Sequence, residues 1–302
     1  MTSLVYSCAP LVCLLCLLCL VCAPGTARAA DPNDFIVWST PGLVGRLYVP
    51  DDYDPSRSHP LVTFMHGFGA RGTDNVAQVG VDIDGLLDEC KRREAFLYAP
   101  QSPDGVWHST TSQPGSEQVR VQQMLALARQ TYNIDASRLY LTGYSAGGGG
   151  AWDTLARYDN QFAAGVPIAG TYGVSAYRPG LLDQPIWAFH ARNDEVVSVS
   201  VSRNMVNRIL AARGLPLPQY LPPSDPTHAF YDFPPLHYAD AGAGGHAIVH
   251  GVYVYPPLYE WMFAQRLPEP ATTAVATALL VLGVLRIRSR AGVELRRRAV
   301  TE

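Results

Sequence analysis

A chain of 302 residues, 48% hydrophobic and 16% charged, can bury one large core or two small ones, which excludes a mostly disordered protein. Outside residues 1–29 and 286–302 it carries 16 basic and 24 acidic residues, a net charge of −8, with Lys91 as its single lysine. Such a balance offers no basic patch for nucleic acid or an anionic surface.

Residues 11–22, LVCLLCLLCLVC, form an apolar run of signal-peptide length, and Ala27, Arg28 and Ala29 supply a small-x-small cleavage site. Export with removal of residues 1–29 is the expectation. A short membrane anchor is the alternative, because MTSLVYSC carries no Lys or Arg ahead of the run. Cys8, Cys13, Cys16, Cys19 and Cys22 all lie in this segment, so Cys90 is alone in the processed chain and no intramolecular disulfide can form. Leu20 and Val21 before Cys22 are not the small residues expected ahead of a lipidated cysteine.

In chain order, GRLYVP (45–50) reads as a short strand, DDYDPSRSHP (51–60) as a turn-rich connection, and PLVTFMHG (60–67) as a strand covered on both faces. EAFLYAP (94–100) is a further strand, and 116–132 places Val121, Met124, Leu125 and Ala128 along one side of a helix. NIDASRLYLTGYS is a turn followed by a strand, AWDTLARY (151–158) a helix, and AAGVPIAG (163–170) and QPIWAFHA (184–191) two more strands. A helix over 201–214 stops on glycine. This alternation predicts one doubly wound α/β domain over 30–267, its sheet mostly parallel, with helices on both faces.

The proline- and aromatic-rich stretch 215–236 has no period and reads as a surface excursion near the carboxyl edge of the sheet, shaping one side of a cleft. Residues 237–242 are too polar and small to assign, 246–255 suggest a short last strand or turn, and 256–267 a final helix. Beyond Pro268-Glu269-Pro270, the 15 uncharged residues 271–285 would span about 22 Å as a helix, short of a hydrocarbon core of about 30 Å, although the arginines that follow could snorkel. A short transmembrane segment with a cytoplasmic basic end is expected, with a last amphipathic helix as the alternative. This tail over 268–302 resembles the carboxy-terminal sorting signal handled by exosortase. The resemblance implies an exported Gram-negative protein that contacts the membrane through its tail before an exosortase-type enzyme processes it.

Ser145 lies in Gly143-Tyr144-Ser145-Ala146-Gly147, the G-x-S-x-G pattern, between a predicted strand and a helix. A sharp strand-to-helix turn there lifts the hydroxyl clear of the sheet, with glycines where neighbouring backbone must approach. A serine nucleophile needs a histidine base and a carboxylate to fix the tautomer of that base, in the chain order Ser, Asp or Glu, His. Asp194 follows a predicted strand and is the preferred acid, with Glu195 open beside it. His228, His237, His246 and His250 come after it; His246, behind a run of glycines, is preferred as base, with His250 as second choice. HGFGARGTDN (66–75) follows a buried strand and supplies backbone N–H groups for an oxyanion, with Phe68 and Ala146 as donors and Gly67 and Gly69 permitting the turn. The histidines are too scattered for a metal set, and GGGG has no lysine after it as a phosphate loop would. No cofactor is expected.

These blocks, in this order, resemble the polyhydroxybutyrate-depolymerase-like esterases and the allied peptidase group of the α/β-hydrolase superfamily, relatives of feruloyl and acetylxylan esterases. Over 43–267 the resemblance implies an α/β-hydrolase fold, a triad on Ser145, Asp194 and His246, an oxyanion loop over His66–Gly69, and Trp107 and Tyr144 as cleft-lining candidates. Ala146 stands where the group often has methionine, and Ala-Ile-Val follows His246 in place of the usual acidic, tryptophan-bearing run. The expected activity is a secreted serine hydrolase acting on small or polymeric carboxylic esters. A peptidase of the same fold and an inactive cell-surface binding module are the alternatives.

Overall fold

Along His59–Met65 every residue is buried, the signature of a strand covered on both faces. In the computed structural model, which describes residues 30–80, 83–109, 115–171 and 179–268, this segment lies inside a nine-stranded sheet. The strands are β1 (Ile36–Val37), β2 (Val44–Tyr48), β3 (His59–Met65), β4 (Phe96–Gln101), β5 (Ile134–Tyr144), β6 (Ala164–Ile168), β7 (Ile186–Ala191), β8 (Ala229–Phe233) and β9 (Leu236–Ala241). Their order is β1-β2-β4-β3-β5-β6-β7-β9-β8. From β4 to β9 all neighbours are parallel, while β1 on β2, β2 on β4 and β8 on β9 are antiparallel. The sheet is therefore mixed, and the expected parallel centre is present.

Among the described residues six α-helices cover it: α1 (Asp84–Arg92), α2 (Ser116–Thr131), α3 (Ala146–Arg157), α4 (Ser200–Ala212), α5 (Val249–Tyr253) and α6 (Pro256–Ala264). One core holds Val121, Leu125, Trp152, Leu155, Val206 and Ile209 from α2, α3 and α4. The other holds Leu86, Leu87, Val249, Val252, Leu258 and Met262 from α1, α5 and α6. The two layers on opposite faces make the α/β-hydrolase architecture. Carboxyl ends of parallel strands all point to one edge, where ligands of such sheets bind.

Several elements differ from the sequence expectation. Residues 237–242, too polar to assign, lie mostly in β9, because the polar members of that strand are neutralised in place. Asp240 is buried against Arg192 at 3.5 Å and Arg203 at 2.6 Å, and His237 pairs with Asp232 at 2.6 Å. Part of the 215–236 excursion is β8, an edge strand. Residues 246–255, expected as a short strand or turn, begin with a 3-10 turn and continue into α5, since packing of Val249, Val252 and Tyr253 overrides the weak helix preference of Val and Gly.

The expectation of a transmembrane helix, and with it of membrane contact and processing through the carboxy-terminal tail, is corrected. Among the described residues no helix is long and apolar enough to cross a membrane, and residues 1–29 and 271–285 lie outside them.

Candidate active site

β5 ends at Tyr144, and α3 starts at Ala146, so one residue must turn the chain. Ser145 does so with φ 56° and ψ −116°, a left-handed conformation that costs of order 1–3 kcal/mol outside glycine and is held only by its surroundings. Its N–H donates to the carbonyl of Ile168 at 2.9 Å, and its own carbonyl accepts from Gly149 at 3.0 Å and Thr171 at 3.1 Å. The hydroxyl projects above the carboxyl edge of the sheet.

From the far side, a 3-10 turn at His246–Ile248 brings the imidazole to that hydroxyl. Two left-handed glycines, Gly244 at φ 117° and Gly245 at φ 57°, make the turn, and the N–H of Gly245 donates to Asn193 Oδ1 at 3.0 Å. His246 Nε2 lies 2.9 Å from Ser145 Oγ, and His246 Nδ1 lies 2.9 Å from Asp194 Oδ2. A carboxylate can only accept, so Nδ1 carries the proton and Nε2 presents its lone pair to the serine. Ser145, His246 and Asp194 thus form one connected relay across 101 and 52 residues of chain.

Asp194 follows β7 in a tight loop. Its side chain is sealed from solvent, and its Oδ1 accepts the N–H groups of Val196 at 2.9 Å and Val197 at 2.7 Å. Burial pushes the carboxyl up, but hydrogen bonds from His190, His246, Val197 and Val196 together hold it well below the usual carboxylate range. Because the folded value is depressed, the stability these contacts give is fully present above about pH 4 and is lost only as pH falls through the folded value.

His190 is a participant the sequence reading missed. It is fully buried at the end of β7, with Nε2 3.0 Å from the carbonyl of Val197 and 3.2 Å from Asp194 Oδ2, and Nδ1 2.7 Å from Ser202 Oγ. Two acceptors at Nε2 place the proton there, so His190 donates to the same carboxylate oxygen as His246. A histidine inside IWAFHA reads as a core residue; the only available signal was its position four residues before the aspartate at the end of a strand.

On the other side of Ser145 the loop after β3 closes the wall. His66 is buried, and its Nε2 accepts the N–H of Ser102 at 2.9 Å. Nδ1 must then hold the proton, which it donates to the carbonyl of Gly67 at 2.7 Å. Phe68 opens the 3-10 turn Phe68–Ala70, where the first N–H groups of a helical turn lack internal acceptors. A Cβ on Gly67 would stand 3.1 Å from the Tyr144 ring, so this glycine allows the loop to lie against the nucleophile; Gly69 faces open space.

Burial pushes His66 down to about 4, against the opposing pull of its bond to Gly67. The unfolded chain titrates near 6.5 and binds the proton the folded state refuses, so stability is full above about pH 6.5 and falls as pH drops toward 4. Urea unfolding at pH 7 and pH 4 is expected to show His66→Asn escaping about 3 kcal/mol of the acid loss suffered by the parent. Equal losses in both proteins would reject the assignment.

A cavity of about 430 Å³ opens over Ser145 and His246, walled by Phe64, Phe68, Ala77, Tyr144 and Val196. The Tyr144 ring lies 5.2 Å from the imidazole of His246. Trp107 does not line this cavity. It is fully buried behind the wall, donating Nε1–H to the carbonyl of His66 at 3.0 Å. No residue of 215–236 lines the cavity either, so the excursion does not form the expected side of the cleft. Glu195 and His250 are exposed and outside the relay, His228 accepts from the N–H of Gly242 at 3.1 Å, and His237 belongs to the β8–β9 pair. Among the described residues no group of three His, Cys, Asp or Glu could hold a metal ion.

No family model matches the chain. Among curated proteins it is 30% identical over 157 residues to a bifunctional acetylxylan esterase/xylanase of Neocallimastix patriciarum, a match covering 50% of this chain and 21% of that one. Among solved structures it is similar to a thermostable esterase, with TM-score 0.64 and 30% identity over 78% of this chain and 64% of the other. It shares its fold with an acetyl xylan esterase from Aspergillus awamori, with TM-score 0.58 and 17% identity over 77% and 97% of the two chains. The chain spans about a fifth of that curated relative and under two thirds of the thermostable esterase.

Proposed function

We propose that residues 30–267 are the catalytic domain of an exported serine hydrolase that cleaves carboxylic esters. The observation that carries this reading is the pair of 2.9 Å contacts joining Ser145 Oγ, His246 and Asp194. His246 Nε2 takes the serine proton as Oγ adds to the ester carbonyl, and Asp194 stabilises the imidazolium that forms. The N–H groups of Phe68 and Ala146 receive the oxyanion, with His66 and Gly67 holding their loop. Collapse expels the alcohol with the proton from His246, and water, deprotonated by the same imidazole, releases the acid.

The largely apolar walls of the cavity suit an uncharged acyl or alcohol group, and the likeness to esterases supports an ester as substrate. The leader-like segment 1–29 supports export. The test is to treat the full chain with a fluorophosphonate probe and to compare p-nitrophenyl acetate with a peptide p-nitroanilide under the same conditions. One adduct on the peptide bearing Ser145 and faster ester turnover are expected. Faster amide turnover would favour the peptidase, and no adduct with no turnover the binding module.

A further inference from the structure

The amino-terminal segment enters the fold in a way that none of the catalytic chemistry uses. Ala30 is buried at 7% exposure among the side chains of the α1–α5–α6 layer, and its backbone nitrogen lies 2.7 Å from Asp84 Oδ1. The chain after it is fixed in place: Asp31 caps the turn Pro32–Asp34, Arg46 donates to the carbonyl of Pro32 at 3.0 Å, and Phe35 is buried in the same core. Asp84 cannot retreat from the contact. Its neighbour Gly85 packs so closely on α5 that a Cβ there would stand 2.2 Å from the carbonyl oxygen of Tyr253.

Ala30 is also the first residue after Ala27-Arg28-Ala29, the small-x-small site at which a leader peptidase would cut. We propose that the mature protein begins at Ala30 and that its new α-ammonium group locks onto the Asp84 carboxylate, so that leader removal completes the fold. The inference rests on the export reading above. Hydrolysis of the Ala29–Ala30 amide places the hydroxyl of water on the Ala29 carbonyl carbon and its hydrogen on the Ala30 nitrogen. That amine takes a further proton from solvent below its ordinary pKa of about 8. Before cleavage the same nitrogen is a neutral amide and can give Asp84 a hydrogen bond but no charge. After it, the donor carries a positive charge as well, and the hydrogen bond becomes an ion pair.

The lock then closes on α1 against α5, the helix that continues from the turn bearing His246.

The experiment uses the full chain produced with export, its amino terminus read by intact mass and its melting followed at pH 7. The mature terminus is expected at Ala30. Asp84→Asn keeps an acceptor but removes the charge, and should lower Tm by about 2–4 °C in the mature protein. In a chain that retains Ala29 ahead of Ala30, the same substitution should move Tm by less than about 1 °C, the non-additivity that marks a pair in contact. Should Asp84→Asn not fold, the two parent forms are compared directly, and the Ala29-retaining form should melt about 2–4 °C lower. A terminus at another residue overturns the cleavage assignment. Equal shifts in both backgrounds, or equal parent Tm values, overturn the lock. Fluorophosphonate labelling of Ser145 is read in every arm, so either failure is distinct from failure of the hydrolase reading.

Discussion

Replacing Ser145 by alanine is expected to lower kcat for p-nitrophenyl acetate by about a million-fold, and His246→Ala by about as much, while the double variant loses no more than either alone. The reason is the single proton path: with Oγ gone the imidazole has nothing to deprotonate, and with the imidazole gone the hydroxyl stays a weak nucleophile. Asp194→Asn should cost about ten-thousand-fold, less than the other two but for an instructive reason. Asp194 Oδ1 accepts two backbone N–H groups, and Oδ2 faces two imidazole nitrogens, His246 Nδ1 and His190 Nε2. An asparagine would keep its oxygen on the backbone donors and turn its NH2 toward those nitrogens, donor against donor. His246 then relieves the conflict by moving its proton to Nε2, where it points at Ser145 and can no longer accept. Active-site titration with a fluorophosphonate before each assay excludes contaminating parent enzyme. Residual turnover of Ser145→Ala above about one per cent of the parent, or losses that add in the double variant, would remove the relay as the basis of activity.

How much of this was readable beforehand depended on whether the determining contacts are local. Ser145 stood out because its signal is local: five residues, a strand before and a helix after. The buried strands β3, β4, β5, β6 and β7 were visible as continuous apolar runs, and α2 by its spacing. The carboxylate and the base could be narrowed by chain order but not fixed, since Asp194 and Glu195 are adjacent and His246 and His250 share a turn-like setting. Only the fold, by swinging the His246 turn over β5 with Gly244 and Gly245 in left-handed conformations, separates a relay member from an exposed neighbour. His190 was hidden because a histidine satisfied by a carbonyl, a hydroxyl and a carboxylate looks from sequence like any polar residue inside an apolar strand. β9 was hidden for the same reason: its Asp240 reads as surface until Arg192 and Arg203 are brought to it from other elements. Trp107 was placed in the cleft by family resemblance, but its hydrogen bond to His66 puts it one layer deeper.

The run GGGG at 147–150 is a poor start for a helix, and the structure gives it a role that predicts a large stability effect. α3 starts through these residues, so each Gly costs the helix about 1 kcal/mol relative to alanine, and four in a row should be selected against unless space forbids a side chain. At Gly147 it does. An added Cβ would stand 1.9 Å from the carbonyl oxygen of Met65 and 2.7 Å from that of His66, both main-chain atoms at the end of β3. β3 cannot yield, because it is hydrogen-bonded to β4 on one side and β5 on the other. Nor can α3 withdraw without carrying Ser145 away from His246. Gly147→Ala is therefore expected to cost about 5 kcal/mol or more, a fall in Tm of roughly 10–20 °C, with loss of fluorophosphonate labelling in whatever remains folded. Gly251→Ala is the matched control: this glycine lies in α5 with nothing within 4 Å of an added Cβ, and alanine there should raise stability by about 1 kcal/mol. Thermal melts of the two variants beside the parent decide the matter. If Gly147→Ala melts within a few degrees of the parent and still labels, the close seating of α3 on β3 is not what holds the nucleophile in place.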